Sequence, residues 1–329
     1  MVTSHAAPPI RAPKLANIHG TVHMTTLVFG HKSPDTDSTG SPLIWEWYLN
    51  EVKGIDAKAV LLGEPNTEAA FVLEKWNCDK PEILSELADG QSVVIVDTNN
   101  PAELPANINA ADIAEIIDHH KLVGGLETKG PIEITIRPLA CTATVMFDLM
   151  GPDAQKMPDR IKGLMLSCIL SDTLEFRSPT TTDHDRALAE QLASELNITI
   201  SQYASEMFEA KSDISAFSDA ELIRMDSKEY EVDGTKFRVS VLETTAPKLV
   251  LDRKDSLVKS FADVAKEDGV DQVLLFVVDI LNEEATFFTP NELTKSVAEK
   301  SFGATATGDT VVLPGIMSRK KQIIPNLKV

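Results

Sequence analysis

Three short apolar runs each end in acid or imidazole side chains, and this coincidence constrains the fold more than any other feature of the chain. Thr26-Leu27-Val28-Phe29 leads through Gly30 into His31-x-x-x-Asp35-x-Asp37. Val93-Val94-Ile95-Val96 leads into Asp97, and Ile113-Ala114-Glu115-Ile116-Ile117 into Asp118-His119-His120. Brief β-branched runs of this kind read as buried strands of a parallel sheet. In an open α/β sheet the ligand crevice lies outside the carboxyl ends of the strands. The pattern therefore predicts an α/β fold whose strand ends deliver carboxylates and imidazoles to one crevice. So many carboxylates at short range repel one another, and divalent cations remove the conflict. A mixed oxygen and nitrogen donor set suits Mn, Fe, Co or Zn rather than Ca or a thiolate-bound structural Zn.

The rest of the chain alternates in the same way. Ser41-Pro42 reads as the start of a helix through Leu43, Ile44, Trp47 and Tyr48, with Ser as N-cap, which leaves Gly30 to Gly40 as a turn-rich loop. A strand over Ala57 to Leu62 and a helix over Thr67 to Trp76 follow, then helices over Cys141 to Met150 and Arg160 to Leu170, the latter running into Ser171-Asp172-Thr173. Leu188 to Leu196 and Ile200 to Glu209 are helical in pattern, and the small, polar stretch Lys211 to Ser218 reads as a linker. Beyond it, two strands flank Asp233-Gly234, a strong hairpin signal. A charged amphipathic helix runs from about Asp255 to Glu267, and strands cover Gln272 to Asp279, Glu284 to Thr289 and Val311 to Leu313.

The expected organisation is a mostly parallel N-terminal sheet with flanking helices over 24–210, a hinge linker over 211–218, and a smaller mixed α/β domain over 219–329. The active site is expected in the cleft between the two. Residues 1–23 hold several Pro and His and no apolar h-region, and are read as a disordered leader, native or of vector origin.

The formal net charge of −19 argues against binding nucleic acid or an anionic membrane. It leaves an anionic substrate open, because metals and a few Lys and Arg reverse the field inside a cleft. No apolar run approaches the ~20 residues of a membrane span. Cys78, Cys141 and Cys168 are scattered and match no metal spacing, which suits a reducing, cytoplasmic compartment.

Taken singly, several of these groups have ordinary readings. Asp35 and Asp37 sit among turn residues, Asp97-Thr98-Asn99-Asn100-Pro101 resembles a turn, and Lys228 is a surface lysine in isolation. Ser318-Arg319-Lys320-Lys321-Gln322 could be a solvated tail, though it follows a strand in an otherwise acidic chain, and Arg forks and Lys ammonium groups are the usual phosphate binders. Adjacent His119 and His120 are harder to dismiss: one imidazole is expected to face the crevice and the other to turn away. Asp172 lies near a helix end that disfavours an acid. The joint occurrence of these groups carries the metal reading.

At these residues the chain resembles a DHH-superfamily phosphoesterase, and specifically a family II, manganese-dependent inorganic pyrophosphatase. The matching segments are Gly30-His31 with Pro34-Asp35-Thr36-Asp37, Val96-Asp97, Asp118-His119-His120, Cys141-Thr142-Ala143-Thr144, Ser171-Asp172-Thr173, Asp226-Ser227-Lys228 and Ser318 to Gln322, and they span nearly the whole chain. The resemblance implies two Mn²⁺ ions per subunit, with Co²⁺ as a substitute and additional Mg²⁺ arriving with pyrophosphate. It implies that His31, Asp35 and Asp97 hold one metal, and Asp37, Asp97, His119 and Asp172 the other. It implies that His120, Lys228, Arg319 and Lys320 meet the substrate, with His120 helping to protonate the leaving phosphate, and that the protein is a homodimer. Asp97-Thr98-Asn99-Asn100 stands where the family often has Asp-His-Asn-Glu, so an outer-shell histidine is absent. No nucleotide-binding insertion separates the later motifs, which implies an unregulated two-domain form. The nearest alternative is another DHH phosphoesterase acting on oligonucleotides, cyclic dinucleotides or polyphosphate. A catalytically silent metal- or phosphate-binding regulator is the alternative from a different class.

Overall fold

The computed structural model describes residues 24–329; the leader expected over 1–23 lies outside the described residues. Six parallel strands, β1 (Thr26–Phe29), β2 (Ala57–Leu61), β3 (Glu82–Ile83), β4 (Ser92–Val96), β5 (Asp112–Asp118) and β6 (Glu133–Ile136), form a sheet of order β3-β2-β1-β4-β5-β6. The chain runs outward from β1 to β3, then returns to place β4 against the other side of β1. The strand order therefore reverses between β1 and β4, the point where open α/β sheets bind ligands.

Period-2 alternation sorts the strand side chains. Val28, Val94, Val96 and Ile117 face one core, against α1 (Thr36–Tyr48), α3 (Thr142–Met150), α4 (Asp159–Asp172) and α5 (Asp183–Leu196); α2 (Thr67–Lys75) and α6 (Ile200–Lys211) extend it. Phe29, Val93, Ile95 and Ile113 face the other, covered by Leu87, Leu104 and Ile108 from loops and short 3₁₀ turns.

The first helix corrects the sequence reading. It starts at Thr36 rather than Ser41, because the Asp35 carboxylate accepts from the Ser38 N–H at 3.0 Å and caps it. Residues 36–42 are all buried, and that packing outweighs the hydrogen bond that Pro42 removes from inside the helix. Gly40, expected in a loop, lies where α1 meets α4: a Cβ there would sit 2.5 Å from Cys168 Sγ.

The second sheet has order β11-β10-β9-β8-β7, built from β7 (Ser227–Val232), β8 (Thr235–Thr244), β9 (Gln272–Asp279), β10 (Glu284–Phe288) and β11 (Thr310–Pro314). Only the β8–β9 pair is parallel. Asp233 and Gly234 both take positive φ, as a two-residue type I′ hairpin requires. Helices α7 (Asp219–Met225) and α9 (Lys254–Asp268) cover one face, where Val273, Leu275 and Val277 are buried; α8 (Pro247–Leu251) lies beside them. Helix α10 (Glu292–Phe302) covers the other face, over Leu274, Phe276 and Val278. The sequence reading anticipated neither α7 nor α10. Among the described residues no helix is long and apolar enough to cross a membrane.

Candidate metal centre and cation site

The first group of site residues is aimed by the turn after β1. Gly30 has no room for a side chain, since a Cβ would lie 1.9 Å from Ser38 Oγ, so the chain folds back on α1 and the His31 N–H donates to that oxygen at 2.7 Å. Asp35 caps the helix, and Asp37 lies in its first turn. Asp37 accepts from Ser41 Oγ at 2.6 Å and from the Thr142 N–H at 2.7 Å. That amide belongs to the N-terminus of α3, where the helix dipole favours an acid. Thr142 Oγ1 in turn donates to Asp97 Oδ1 at 3.1 Å.

Asp97 follows β4 with φ 59°, the left-handed region that non-glycine residues enter at a cost of about 1–3 kcal/mol. The turn buries its carboxylate and gives its two oxygens different neighbours: Oδ2 lies 3.5 Å from His31 Nε2, and Oδ1 lies 3.5 Å from His119 Nε2.

Asp118 organises the two histidines at the end of β5. Its Oδ1 accepts from the His119 and His120 amides at 2.7 and 3.0 Å and from His120 Nδ1 at 2.9 Å, while Oδ2 accepts from Asn99 Nδ2 at 2.6 Å. His119 Nδ1 lies 3.1 Å from the Leu139 carbonyl, which can only accept, so Nδ1 is the donor there and Nε2 is the nitrogen turned toward Asp97. The same logic protonates His120 Nδ1 against Asp118. The expectation that one ring turns away is not met. Asp118 draws both amides into one turn, the ring centroids stand 4.2 Å apart, and both rings approach Asp97.

Among the described residues three groupings have the spacing to hold a cation, their donor atoms within 4.8 Å of one another: His31, Asp35 and Asp97; Asp97, His119 and His120; and Asp37, Cys141 and Asp172. Asp37 and Asp172 thus stand together at the ends of α1 and α4. Cys141, which belongs to one of the matching segments but was assigned no role there, stands beside them. Burial and the neighbouring Asp37 and Asp172 push its thiol well up, so it is a neutral sulfur. Residues Leu174, Glu175 and Phe176, directly after α4, all take positive φ, a second strained turn beside the centre.

Burial, then Asp37, Asp35 and Asp118, drive the Asp97 carboxyl well above the ordinary carboxylate range. Burial, then Asp37, Asp97 and Asp35, do the same to Asp172, whose Oδ2 is shut from solvent with no hydrogen-bond partner. Burial would lower His31, but Asp35, Glu103 and Asp37 hold it raised. Burial would raise Asp35 and Asp118, yet His31 and the Ser38 amide hold the first low, and His120 and Asn99 the second. Among the described residues no lysine or arginine forms an ion pair with Asp35, Asp37, Asp97, Asp118 or Asp172; the ion-pair partners of Asp35, Asp97 and Asp118 are imidazoles. Thr98, where the family often has a histidine, donates instead to Glu103 Oε2 at 2.7 Å.

Lys228, Arg319 and Lys320 are held by the second sheet. Arg319 donates through Nη1 to the Asp226 carbonyl at 2.8 Å and pairs through Nη2 with the Asp226 carboxylate at 2.7 Å, which brings it beside the Asp226-Ser227-Lys228 segment at the start of β7. Lys228 and Lys320 are exposed. Among the described residues no hydrogen bond or ion pair joins these cations to the carboxylate cluster.

Comparison with known proteins follows the same division. The DHH family, N-terminal domain, matches residues 25–171, and the DHHA2 domain matches residues 205–329. A protein of Deinococcus radiodurans named "probable manganese-dependent inorganic pyrophosphatase" is 38% identical over 306 residues, 92% of this chain and 97% of that protein. One of the same name from Lactobacillus helveticus is 33% identical over 91% of this chain and 96% of its own length. A crystal structure from Methanococcus jannaschii, described as a "putative family II inorganic pyrophosphatase", matches with a TM-score of 0.56 and 33% identity, covering 91% of this chain and 97% of that one. The chain belongs to the manganese-dependent, family II inorganic pyrophosphatases of the DHH superfamily.

Proposed function

We propose that the chain hydrolyses inorganic pyrophosphate to two phosphates at a centre of two Mn²⁺ ions. The observation that carries this reading is the Asp97 carboxylate, whose two oxygens lie 3.5 Å from different imidazole nitrogens. A bridging ligand needs that arrangement. The residues fit divalent cations on two further grounds. Asp172 keeps a buried oxygen without a partner, and His119, its Nδ1 held by the Leu139 carbonyl, turns Nε2 toward Asp97. His31, Asp35 and Asp97 would hold one ion, and Asp37, Asp97, His119 and Asp172 the other. When bound, the ions supply Lewis acidity and bring the ionisation of water near neutral pH.

The chain's own groups then do the following. His120, with Nδ1 hydrogen-bonded to Asp118, lines a cleft with Lys32, Lys121 and Glu103, where it binds a phosphate oxygen or passes a proton to the leaving phosphate. Lys228, Arg319 and Lys320 neutralise pyrophosphate oxygens from the second domain. The linker 211–218 acts as the hinge whose closure brings those cations to the metals and excludes water. The reading includes Co²⁺ as a substitute metal, Mg²⁺ carried in with the substrate, a homodimer in the cytoplasm, and no nucleic-acid partner, the last supported by the net charge of −19.

Turnover of pyrophosphate, a dinucleotide and polyphosphate by metal-free protein, before and after adding Mn²⁺, Co²⁺ or Mg²⁺, tests the proposal. Pyrophosphate hydrolysis abolished by chelation, and restored better by Mn²⁺ or Co²⁺ than by Mg²⁺ alone, is the expected result. Full activity without metal, or a preference for the dinucleotide, overturns it.

A further inference from the structure

Glu68, in the first turn of α2, is 0% exposed, yet it belongs to neither metal set. Its Oε1 accepts from Thr36 Oγ1 at 2.5 Å and from Ser171 Oγ. Its Oε2 is buried without a hydrogen-bond partner and lies 3.6 Å from Lys211 Nζ. The positions of these three contacts carry the argument. Thr36 stands between Asp35 and Asp37 at the start of α1. Ser171 directly precedes Asp172 at the end of α4. Lys211 is the last residue of α6, at the edge of the segment leading to the second sheet.

A buried carboxylate with one unsatisfied oxygen is costly. A chain that only had to join two helix ends could use a neutral acceptor. The acid accepts that cost where both metal-bearing helix ends and the start of the linker converge. Metal–ligand distances hold to within about ±0.2 Å, so small shifts of either helix end matter.

We infer that Glu68 is a positioning residue of the metal centre. Through Thr36 and Ser171 it sets the separation of Asp35 and Asp37 from Asp172, and through Lys211 it ties that separation to the linker. The inference rests on reading those aspartates as metal ligands.

Calorimetric Mn²⁺ titration of the full-length, metal-free protein tests it, with thermal melts in EDTA to check the fold. The proteins compared are wild type, Glu68→Ala, Glu68→Gln, Lys211→Met and the double variant Glu68→Gln/Lys211→Met. Glutamine keeps an acceptor oxygen for both hydroxyls but loses the charge facing Lys211. Glu68→Ala should weaken Mn²⁺ binding about 10–100-fold, the usual cost of losing an outer-shell partner. Glu68→Gln should recover most of that loss, Lys211→Met should match the small remainder, and the double variant should be no weaker than either single one.

Wild-type affinity in Glu68→Ala, or additive losses in the double variant, overturns the inference. A wild-type protein that binds no Mn²⁺ overturns the metal-centre reading instead. If Glu68→Ala does not fold, Thr36→Val with Ser171→Ala removes the same two hydrogen bonds and leaves the acid in place. Unchanged Mn²⁺ affinity in that variant equally overturns the inference.

Discussion

The two regions that bear the site residues are built on opposite principles. At the carboxyl ends of β1, β4 and β5, Asp37, Asp97 and Asp118 are buried, and backbone amides or neighbouring side chains aim each carboxylate. One of the three sits in a left-handed turn, and two acids of this region are pushed far from their ordinary titration range. Lys228, on β7, and Lys320, in the helical turn after β11, are exposed, and among the described residues the Arg319 guanidinium bonds to Asp226. Geometry is fixed where ligands must converge within tenths of an ångström. Where a few cations need only meet an anion, two of the three are solvent-exposed. Preorganised repulsion belongs to a metal centre, and accessible positive charge belongs to substrate capture.

The comparison breaks first at Asp97. Asp97→Asn keeps the shape of the residue and removes the charge that faces both His31 and His119. The expected outcome is loss of bound metal and at least ~10²-fold loss of rate, above the 10–100-fold cost of changing an outer-shell partner. Metal analysis beside steady-state kinetics measures both. Wild-type turnover with full metal content would remove Asp97 from the bridging position.

The contrast also explains what was legible in the sequence. His31, Asp97 and His119 could be placed because each follows a buried strand, and the sheet brings strand ends together whatever the intervening sequence. The start of α1 was misplaced because Ser41-Pro42 is a good local signal. The Asp35 cap and the burial of residues 36–42 are tertiary facts that override it. Glu68 has no local signature, and Cys141, though inside a matching segment, was given no role, since their place beside the centre depends on how α2, α3 and α4 pack. Lys228 had none either. Only the resemblance selected it, and the structure supplies a physical neighbour in the Arg319–Asp226 pair. The short helices α7 and α10 went unseen because their apolar stripes are narrow: Leu222 and Ile223 in one, Val297 and Ala298 in the other. Both become legible once the second sheet needs covering on both faces.

A smaller effect sharpens the division. Arg319→Ala removes a group that touches Asp226 and none of the acids at the first sheet. Metal content should be unchanged. Catalysis should fall about tenfold or more, because a charge-assisted hydrogen bond contributes roughly 1.5–3 kcal/mol. If the contact strengthens as charge develops on the phosphate oxygens, the turnover number should drop along with the affinity. Loss of metal in this variant would mean that the two regions are not independent. Unchanged kinetics would return 318–322 to a solvated tail.

The smallest expected effect lies in stability, and here the two regions should differ in whether they respond to pH above about 5. Asp97 and Asp172 have folded-state pKa values raised well above the unfolded carboxylate value near 3.9. Their contribution to stability is therefore complete below that value and is lost as pH rises toward the folded one. His31, also raised, adds a loss of the same sign as pH rises through its own folded value. Asp35 and Asp118, held low, act only at acid pH, where their contribution is lost as pH falls. In the second region Asp268 is held low by hydrogen bonds from Arg224, with Arg238 also beside it, so its contribution is present at neutral pH and is lost only in acid. Metal-free protein melted at about pH 5.5 and about pH 8 should thus show a first-sheet transition that falls by several degrees as pH rises, since ~1 kcal/mol moves the melting point of a unit of 150–250 residues by roughly 2–4 °C. The second-sheet transition should stay level. Mn²⁺ should abolish the first trend, because the positive charge that the acids lack is then supplied. A metal-free first sheet that gains stability from pH 5.5 to 8 would show that its carboxylates do not repel one another, and would take away the electrostatic reason for placing cations there.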